Sequence, residues 1–338
     1  MKFVASMTHR PPELRQIWQS WQQHGDVRNP FQYTIFTPLF AQTGVLEFVR
    51  QNFEAGGGVM FDSGGYFVQQ GVATYESLYQ RLMAFYRANE WAKWYVLPDY
   101  VPTTGLSPAQ VEARVEATIT VARLFVAEMP PLLRDRALPV VQGYTREQIH
   151  RCVVSYAELG VKCIGFGSFG TSGENHSINM VSRQSLELIE YLKKLADKYQ
   201  LSIHLFGVGT PEVLADFYDI GVDSFDSSCW SRTAGYGNVY LPFVGRRNLS
   251  QRMAREIGGP AYAFAEFTNV RQATGHRCPF CEDVSQLQHN RMYQMLHNLY
   301  VMMDTVEALN QGKPIVARLV GVRQSRYERL RKPRLSPL

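Results

Sequence analysis

Short apolar runs alternate with longer amphipathic stretches along most of this chain. The runs KFVAS (2–6), GVMFD (58–62), KWYVLPD (93–99), LPVVQG (138–143), VKCIGFG (161–167), SIHLFG (202–207) and GVDSFD (221–226) have the length and side-chain types of strands. Between them, apolar residues recur at helical spacing over 74–92, 107–129, 145–160, 183–200 and 210–221. Ser107, Thr145 and Thr210 stand at helix starts, where a side-chain oxygen can accept from the unpaired amides of the first turn. Strand–helix alternation of this kind predicts a parallel sheet. Seven or eight such units favour a closed (β/α)8 TIM barrel over an open doubly wound sheet. No G-x-G-x-x-G opens the first helix, which further weakens a dinucleotide-binding reading.

A barrel places its reactive groups at the C-terminal ends of its strands. Asp62, Asp99, Gln142, Gly165, Gly167 and Asp226 all end or follow an apolar run. Any one of them alone would more often begin a loop or cap a helix. As a set they would face one mouth.

Composition narrows the class. The chain has 338 residues and 45% hydrophobic content, enough for a barrel with an appendage. No run of about 18 apolar residues predicts a membrane span. The start, MKFVASMTHRPPEL, lacks an apolar signal core, so a cytoplasmic protein is expected. Five cysteines, an odd count, argue against a disulfide framework, and Cys152 and Cys163 read as small buried hydrophobes. The net charge of +5 is uneven. Arg318, Arg323, Arg326, Arg329, Arg331, Lys332 and Arg334 face only Glu328 in the last stretch, so the body is close to neutral. Such a tail fits contact with phosphates, or a solvated solubility arm.

Near the end, GHRCPFCEDVSQLQHNRMYQMLHNLYV (275–301) sets Cys278 and Cys281 a metal clip apart, with His276 before them and His289 and His297 after. Two thiolates and two imidazoles suit tetrahedral zinc. A reduced C-x-x-C turn without metal is the plainer reading. The expected division is a barrel over 1–265, a zinc-binding subdomain and helix over 266–311, with the helix at 284–311, and a basic tail over 312–338.

Five segments, in order, are similar to the tRNA-guanine transglycosylase superfamily. FDSGGY (61–66) resembles its D-S-G-G-F segment, VVQGY (140–144) its V-Q-G, and GVGTPEVL (207–214) its G-V-G-x-P-E-x-L. VDSFD (222–226) resembles the strand that ends in its nucleophile, and LHNLYV (296–301) the helix with its last zinc ligand. The resemblance implies exchange of guanine in a nucleic acid for a 7-deazaguanine such as preQ0, with Asp226 as nucleophile and Asp62 as general acid/base. It implies that Asp99 reads the guanine N1–H and 2-amino group. Gln142 and the backbone near Gly165 and Gly167 would donate to O6. Ser63, in the matching D-S-G-G segment, would bind the substrate, and Tyr66 or Phe166 would stack on the base, although both also suit an ordinary core. The family's C-x-C-x2-C clip here has His276 for its first cysteine. That gives His276, Cys278, Cys281 and His297 as structural zinc ligands, and it implies pairing of two copies through the zinc lobe.

Three departures bear on the polymer. After the nucleophile the chain reads SSCWSRTAGYGN (227–238), where Arg232 matches one phosphate-gripping arginine and a second is missing. Cys229 there reads as a spacer. No stretch matches the extra RNA-binding domains of archaeal relatives, and the clip carries its histidine exchange. These departures are similar to the compact branch that acts on DNA, with Arg232, Arg326 and Arg329 on its backbone. A tRNA enzyme of the same mechanism is the alternative. A barrel that binds nucleic acid without catalysis would need neither Asp62 nor Asp226. A zinc hydrolase would need a histidine pair at the mouth, and the sequence offers none there.

Overall fold

The computed structural model describes residues 1–24, 26–103, 105–167, 183–249 and 264–312. Eight strands form one ring: β1 (Lys2–Ser6), β2 (Tyr33–Phe36), β3 (Gly58–Phe61), β4 (Trp94–Val96), β5 (Ala137–Leu138 and Val140–Val141), β6 (Cys163–Phe166), β7 (Ser202–Leu205) and β8 (Ser224–Ser227). Neighbours pair in parallel throughout, and β1 joins β2 on one edge and β8 on the other. The ring closes at β5, whose first piece pairs with β4 and whose second pairs with β6. Pro139 divides the two pieces because it has no amide hydrogen. Its carbonyl still accepts from the Gly165 amide at 2.9 Å, so the seam is bonded on that side.

The ladders are shorter than the apolar runs. Asp62, Asp99, Gln142, Gly167 and Gly207 therefore fall just beyond the last strand residue, at the barrel mouth. Strand β2 is absent from the sequence-based set. Its four residues, YTIF, sit in the aromatic-rich run FQYTIFTPLF, too short and too uniformly apolar to show a period.

Helix starts follow capping chemistry at two of three expected places. Ser107 and Thr145 each form a capping box with the glutamine three residues on, opening the helices Pro108–Glu128 and Arg146–Glu158. Thr210 makes no such bond. Pro211, preset to helical φ, starts a single tight turn Pro211–Val213 that runs on as Leu214–Ile220. The helix expected over 284–311 is two helices, Val284–His289 and Arg291–Asn310. Asn290 divides them. Its side chain accepts from the amides of Met292 at 2.9 Å and Tyr293 at 3.3 Å, restarting the helix in a new direction. The boundary expected at 265/266 falls inside the helix Phe264–Thr274, and 313–338 lie outside the described residues.

Two apolar layers hold the ring. Val4, Ile35, Met60, Val96, Leu138, Val140 and Cys163 fill the barrel interior. A larger cluster between strands and helices includes Trp21, Phe61, Tyr86, Tyr156 and Phe217, each at most 1% exposed. Cys152 and Cys163 are buried as expected, and burial pushes their thiols up to about 11 and about 12, so both stay protonated and inert. A hairpin, β9 (Asn238–Leu241) and β10 (Val244–Asn248), follows β8, and the helix Arg291–Asn310 packs on it. Among the described residues, no helix is long and apolar enough to cross a membrane.

Candidate active site and metal centre

A cavity of about 320 Å³ opens at the C-terminal end of the barrel. Asp62, Ser63, Asp99, Gln142, Gly167 and Asp226 all line it. Their strands are β3, β4, β5, β6 and β8, so the ring brings together residues up to 164 positions apart in the chain. Gly165 is not among the lining residues. A Cβ there would lie 2.3 Å from Cε2 of Phe206 and 2.8 Å from Leu138, so its bare backbone makes room for the Phe206 ring that does line the cavity. Tyr66 lies in the short helix Gly65–Gln69, and its side chain falls outside the described residues. Phe166 is buried.

Each acid has a distinct setting. Asp226 is nearly buried. Its Oδ2 accepts from Ser6 Oγ at 2.7 Å, and its Oδ1 accepts from the Gly207 amide at 2.8 Å. Gly207 adopts φ +68°, a left-handed conformation that turns its amide towards the carboxylate and that glycine takes without strain. Asp62 is half-buried, and its Oδ2 accepts from Thr37 Oγ1 at 2.7 Å. Loss of solvent raises its pKa, the Thr37 bond opposes that, and the negative charge of Asp226 raises it further. Asp99 is 5% exposed and is pushed up to about 7, chiefly by burial, with the Asp62 charge adding to it. Gln142 Nε2 donates to Asp99 Oδ2 at 2.6 Å, and Ser63 Oγ lies 3.5 Å from Oδ1. Among the described residues, buried Gln142 Oε1 has no partner, an acceptor left for whatever enters. The mouth thus holds three carboxyl groups, two of them biased towards the protonated form.

Several residues around these acids carried no signal in the sequence reading. Ser6 and Thr37 follow the same rule of strand ends. Thr37 was hidden because β2 was hidden, and Ser6 because a serine after a strand is unremarkable. His204 and Gly207 both approach Asp226 from β7 and its end. Arg232 is exposed at the end of the turn Cys229–Arg232, directly after β8. Cys229 is partly exposed, and burial raises its thiol, in keeping with a spacer. Arg326 and Arg329 lie outside the described residues.

The second cluster is built differently. His276, Cys278, Cys281 and His297 are all buried, and their ligand atoms lie within 4.8 Å of one another. His289, the rival fourth ligand, is not in this set. Cys278 Sγ is 3.4 Å from Cys281 Sγ and 3.2 Å from His297 Nδ1. A tetrahedral zinc would hold such pairs about 3.8 and 3.6 Å apart, so the set needs only to open slightly. The outer nitrogens are tied. His297 Nε2 donates to the Tyr240 carbonyl at 2.8 Å, and His276 Nδ1 donates to Asp304 Oδ2 at 2.9 Å. Those bonds leave Nδ1 of His297 and Nε2 of His276 for a metal, and His276 Nε2 is indeed buried without a partner. Asp304 is held in turn by Arg28 Nη1 at 2.8 Å, whose guanidinium lies over the Tyr300 ring. A hydrogen bond from Cys278, with help from the two imidazoles, holds the Cys281 thiol well below its ordinary value. This donor set could hold one metal ion.

The two sites are connected. Asn298, next to His297, donates to the carbonyls of Trp230 at 3.2 Å and Asn238 at 3.0 Å and accepts from the Tyr240 amide at 2.8 Å. One helix therefore contributes to the metal cluster and fastens the loop that follows Asp226.

A family model described as "TGT: Queuine tRNA-ribosyltransferase" matches residues 94–312, more than half of the chain. A queuine tRNA-ribosyltransferase of Pseudomonas putida is 27% identical over 158 residues, covering 46% of this chain and 41% of that protein. One of Lachnospira eligens is 31% identical over 124 residues, covering 32% and 30%. A DNA-guanine transglycosylase of Salmonella montevideo is 28% identical over 120 residues, covering 36% and 26%. The chain spans less than half the length of these curated relatives.

Proposed function

From the premise that this chain belongs to the queuine tRNA-ribosyltransferase (TGT) family, we propose that it is a guanine transglycosylase that exchanges guanine in DNA for a 7-deazaguanine such as preQ0. The observation that carries the reading is the convergence of Asp62, Asp99, Gln142 and Asp226 on one cavity at the barrel mouth. Net retention at the sugar calls for two displacements. Asp226, held by Ser6 and Gly207, attacks C1′ of the target nucleotide and forms a glycosyl ester, while the C1′–N bond breaks. Asp62, with its raised pKa, gives its proton to the departing guanine and is left as a carboxylate. It then takes a proton from the incoming base, whose nitrogen displaces Asp226 from C1′.

Asp99 accepts from N1–H and the 2-amino group of the base. Burial disfavours its charge, and two donors from the base restore it, so binding and ionisation support each other. The Gln142 amide, already bonded to Asp99, keeps a second hydrogen for O6, and Gly167 allows backbone approach beside it. The target nucleotide must leave its stack to enter, at a cost of a few kcal/mol. The Cys₂His₂ cluster holds structural zinc, pinning the helix Arg291–Asn310 behind the catalytic loop. Arg232, and Arg326 and Arg329 in the basic tail, meet backbone phosphates. Two copies pair through the zinc lobe.

DNA is favoured by the missing second arginine in 227–238 and by the Salmonella relative. A tRNA substrate is the second reading, favoured by the Pseudomonas relative, which aligns over more of the chain. Labelled guanine or preQ0 offered with duplex DNA, single-stranded DNA and bulk tRNA in separate reactions tests both. Label is expected in DNA. Label in tRNA alone overturns the choice of polymer, and label in none of them leaves a binding protein.

A further inference from the structure

His204 is completely buried inside the barrel, an unusual place for an imidazole. Its strand β7 runs beside β8 with His204 opposite Ser224 and Leu205 opposite Phe225. Strand side chains alternate, so Ser224 and Asp226 share the inward face and Asp226 lies one step further towards the mouth. The imidazole spans that diagonal. Its Nδ1 is 2.9 Å from Ser224 Oγ, and its Nε2 is 3.5 Å from Asp226 Oδ1. That second distance is longer than a formed hydrogen bond, and Nε2 has no other partner. Phe206, edge-on to the imidazole at 4.7 Å, lines the cavity above and shields the ring from it.

A buried imidazole nitrogen without a partner is costly, and among the described residues the acceptor nearest it is Asp226 Oδ1. The Ser224 hydroxyl can donate to Nδ1, which leaves the hydrogen on Nε2, pointing at Asp226. We propose that His204 is a positioning residue for Asp226, held as the neutral Nε2–H tautomer by Ser224 and acting as the third donor that aims the carboxylate at C1′. This rests on Asp226 being the nucleophile. Ser6 and Gly207 approach the carboxylate from β1 and from the end of β7, and His204 approaches from below. Three donors from three directions leave one orientation. Among the described residues, Asp62 and Cys229 are the other titratable groups that interact electrostatically with Asp226.

The test compares His204→Phe, which keeps a ring and loses both nitrogens, with His204→Gln, whose amide nitrogen can reach the Nε2 position. Exchange of guanine is measured in the preferred polymer, with Asp226→Ala as control. His204→Phe is expected to lower kcat about 10- to 100-fold with KM for the base changed less than about 2-fold. His204→Gln is expected to recover most of that loss. An unchanged kcat in His204→Phe, or equal losses in both variants, overturns the proposal while Asp226→Ala stays inactive. Full activity in Asp226→Ala overturns the underlying mechanism instead. A readout independent of activity is the ¹⁵N spectrum of the histidine-labelled protein. It should show a neutral Nε2–H imidazole that is absent from His204→Gln or from Ser224→Ala. An Nδ1–H tautomer at that residue overturns the proposal.

Discussion

The barrel mouth and the Cys/His cluster each gather polar side chains from distant parts of the chain, and they are built on opposite principles. At the mouth, like charges share a cavity open to ligand. Burial and mutual repulsion raise Asp62 and Asp99, and Gln142 Oε1 is left unpaired. In the cluster every residue is buried, and both outer imidazole nitrogens are tied to an acceptor. The first arrangement stores electrostatic discomfort that a ligand able to donate to the acids would relieve. The second leaves little freedom beyond what a bound metal ion would use. Sites that must change protonation during turnover are left incomplete, and sites that must stay fixed are closed from outside.

The largest break in this comparison is Asp226→Ala. Exchange should fall at least about 10³-fold, and Asp62→Asn should cost about 10²- to 10⁴-fold, with the melting temperature kept or raised because a like charge is gone. A parallel loss of stability would mean the mouth is structural. Cys278→Ser should do the reverse. Metal analysis should find the bound ion lost, and Tm should drop by about 10 °C or more, since zinc sites of this type are worth on the order of 10 kcal/mol. A wild-type protein that is metal-free and fully stable would erase the contrast.

The pH dependence of stability gives a smaller effect. An unfolded aspartate titrates near 4, whereas Asp99 in the fold titrates near 7. Between those values the folded chain binds a proton that the unfolded chain does not. The stability tied to Asp99 is therefore fully present below about pH 4 and lost as pH rises through 7, at most about 4 kcal/mol. Asp99→Asn should therefore gain Tm over wild type as pH rises from 5 to 8, while losing guanine exchange. A pH-independent difference would show that the carboxyl is ionised throughout. The smallest effect is Asp304→Asn. Loosening His276 should weaken metal binding about 10- to 100-fold in a chelator competition without removing it.

Much of this was legible in the sequence because barrels tie position to role. Asp62, Asp99, Gln142 and Asp226 were found as polar ends of apolar runs, and the ring put them on one cavity. The Cys/His cluster was legible because two cysteines with two residues between them sit on one turn whatever the fold, and the helix Arg291–Asn310 brought His297 back to them. Strand β2, and Thr37 with it, was hidden by its brevity. His204 was hidden because a histidine within SIHLFG looks like any strand residue until register shows what faces it. The resemblance points to the backbone near Gly165, and the fold adds a role invisible in sequence, since its missing side chain makes room for Phe206. The split of the last helix at Asn290 was missed because the flanking apolar pattern runs through it.

That neighbour relation carries a consequence for substrate size. Phe206 rests in the notch left by Gly165 and forms part of the cavity lining. Any atom added at 165 would lift the ring like a raised floor, and a slimmer residue at 206 would lower it. The headroom of the cavity is therefore set one layer beneath the acids that line it, where it can be adjusted without disturbing any of them.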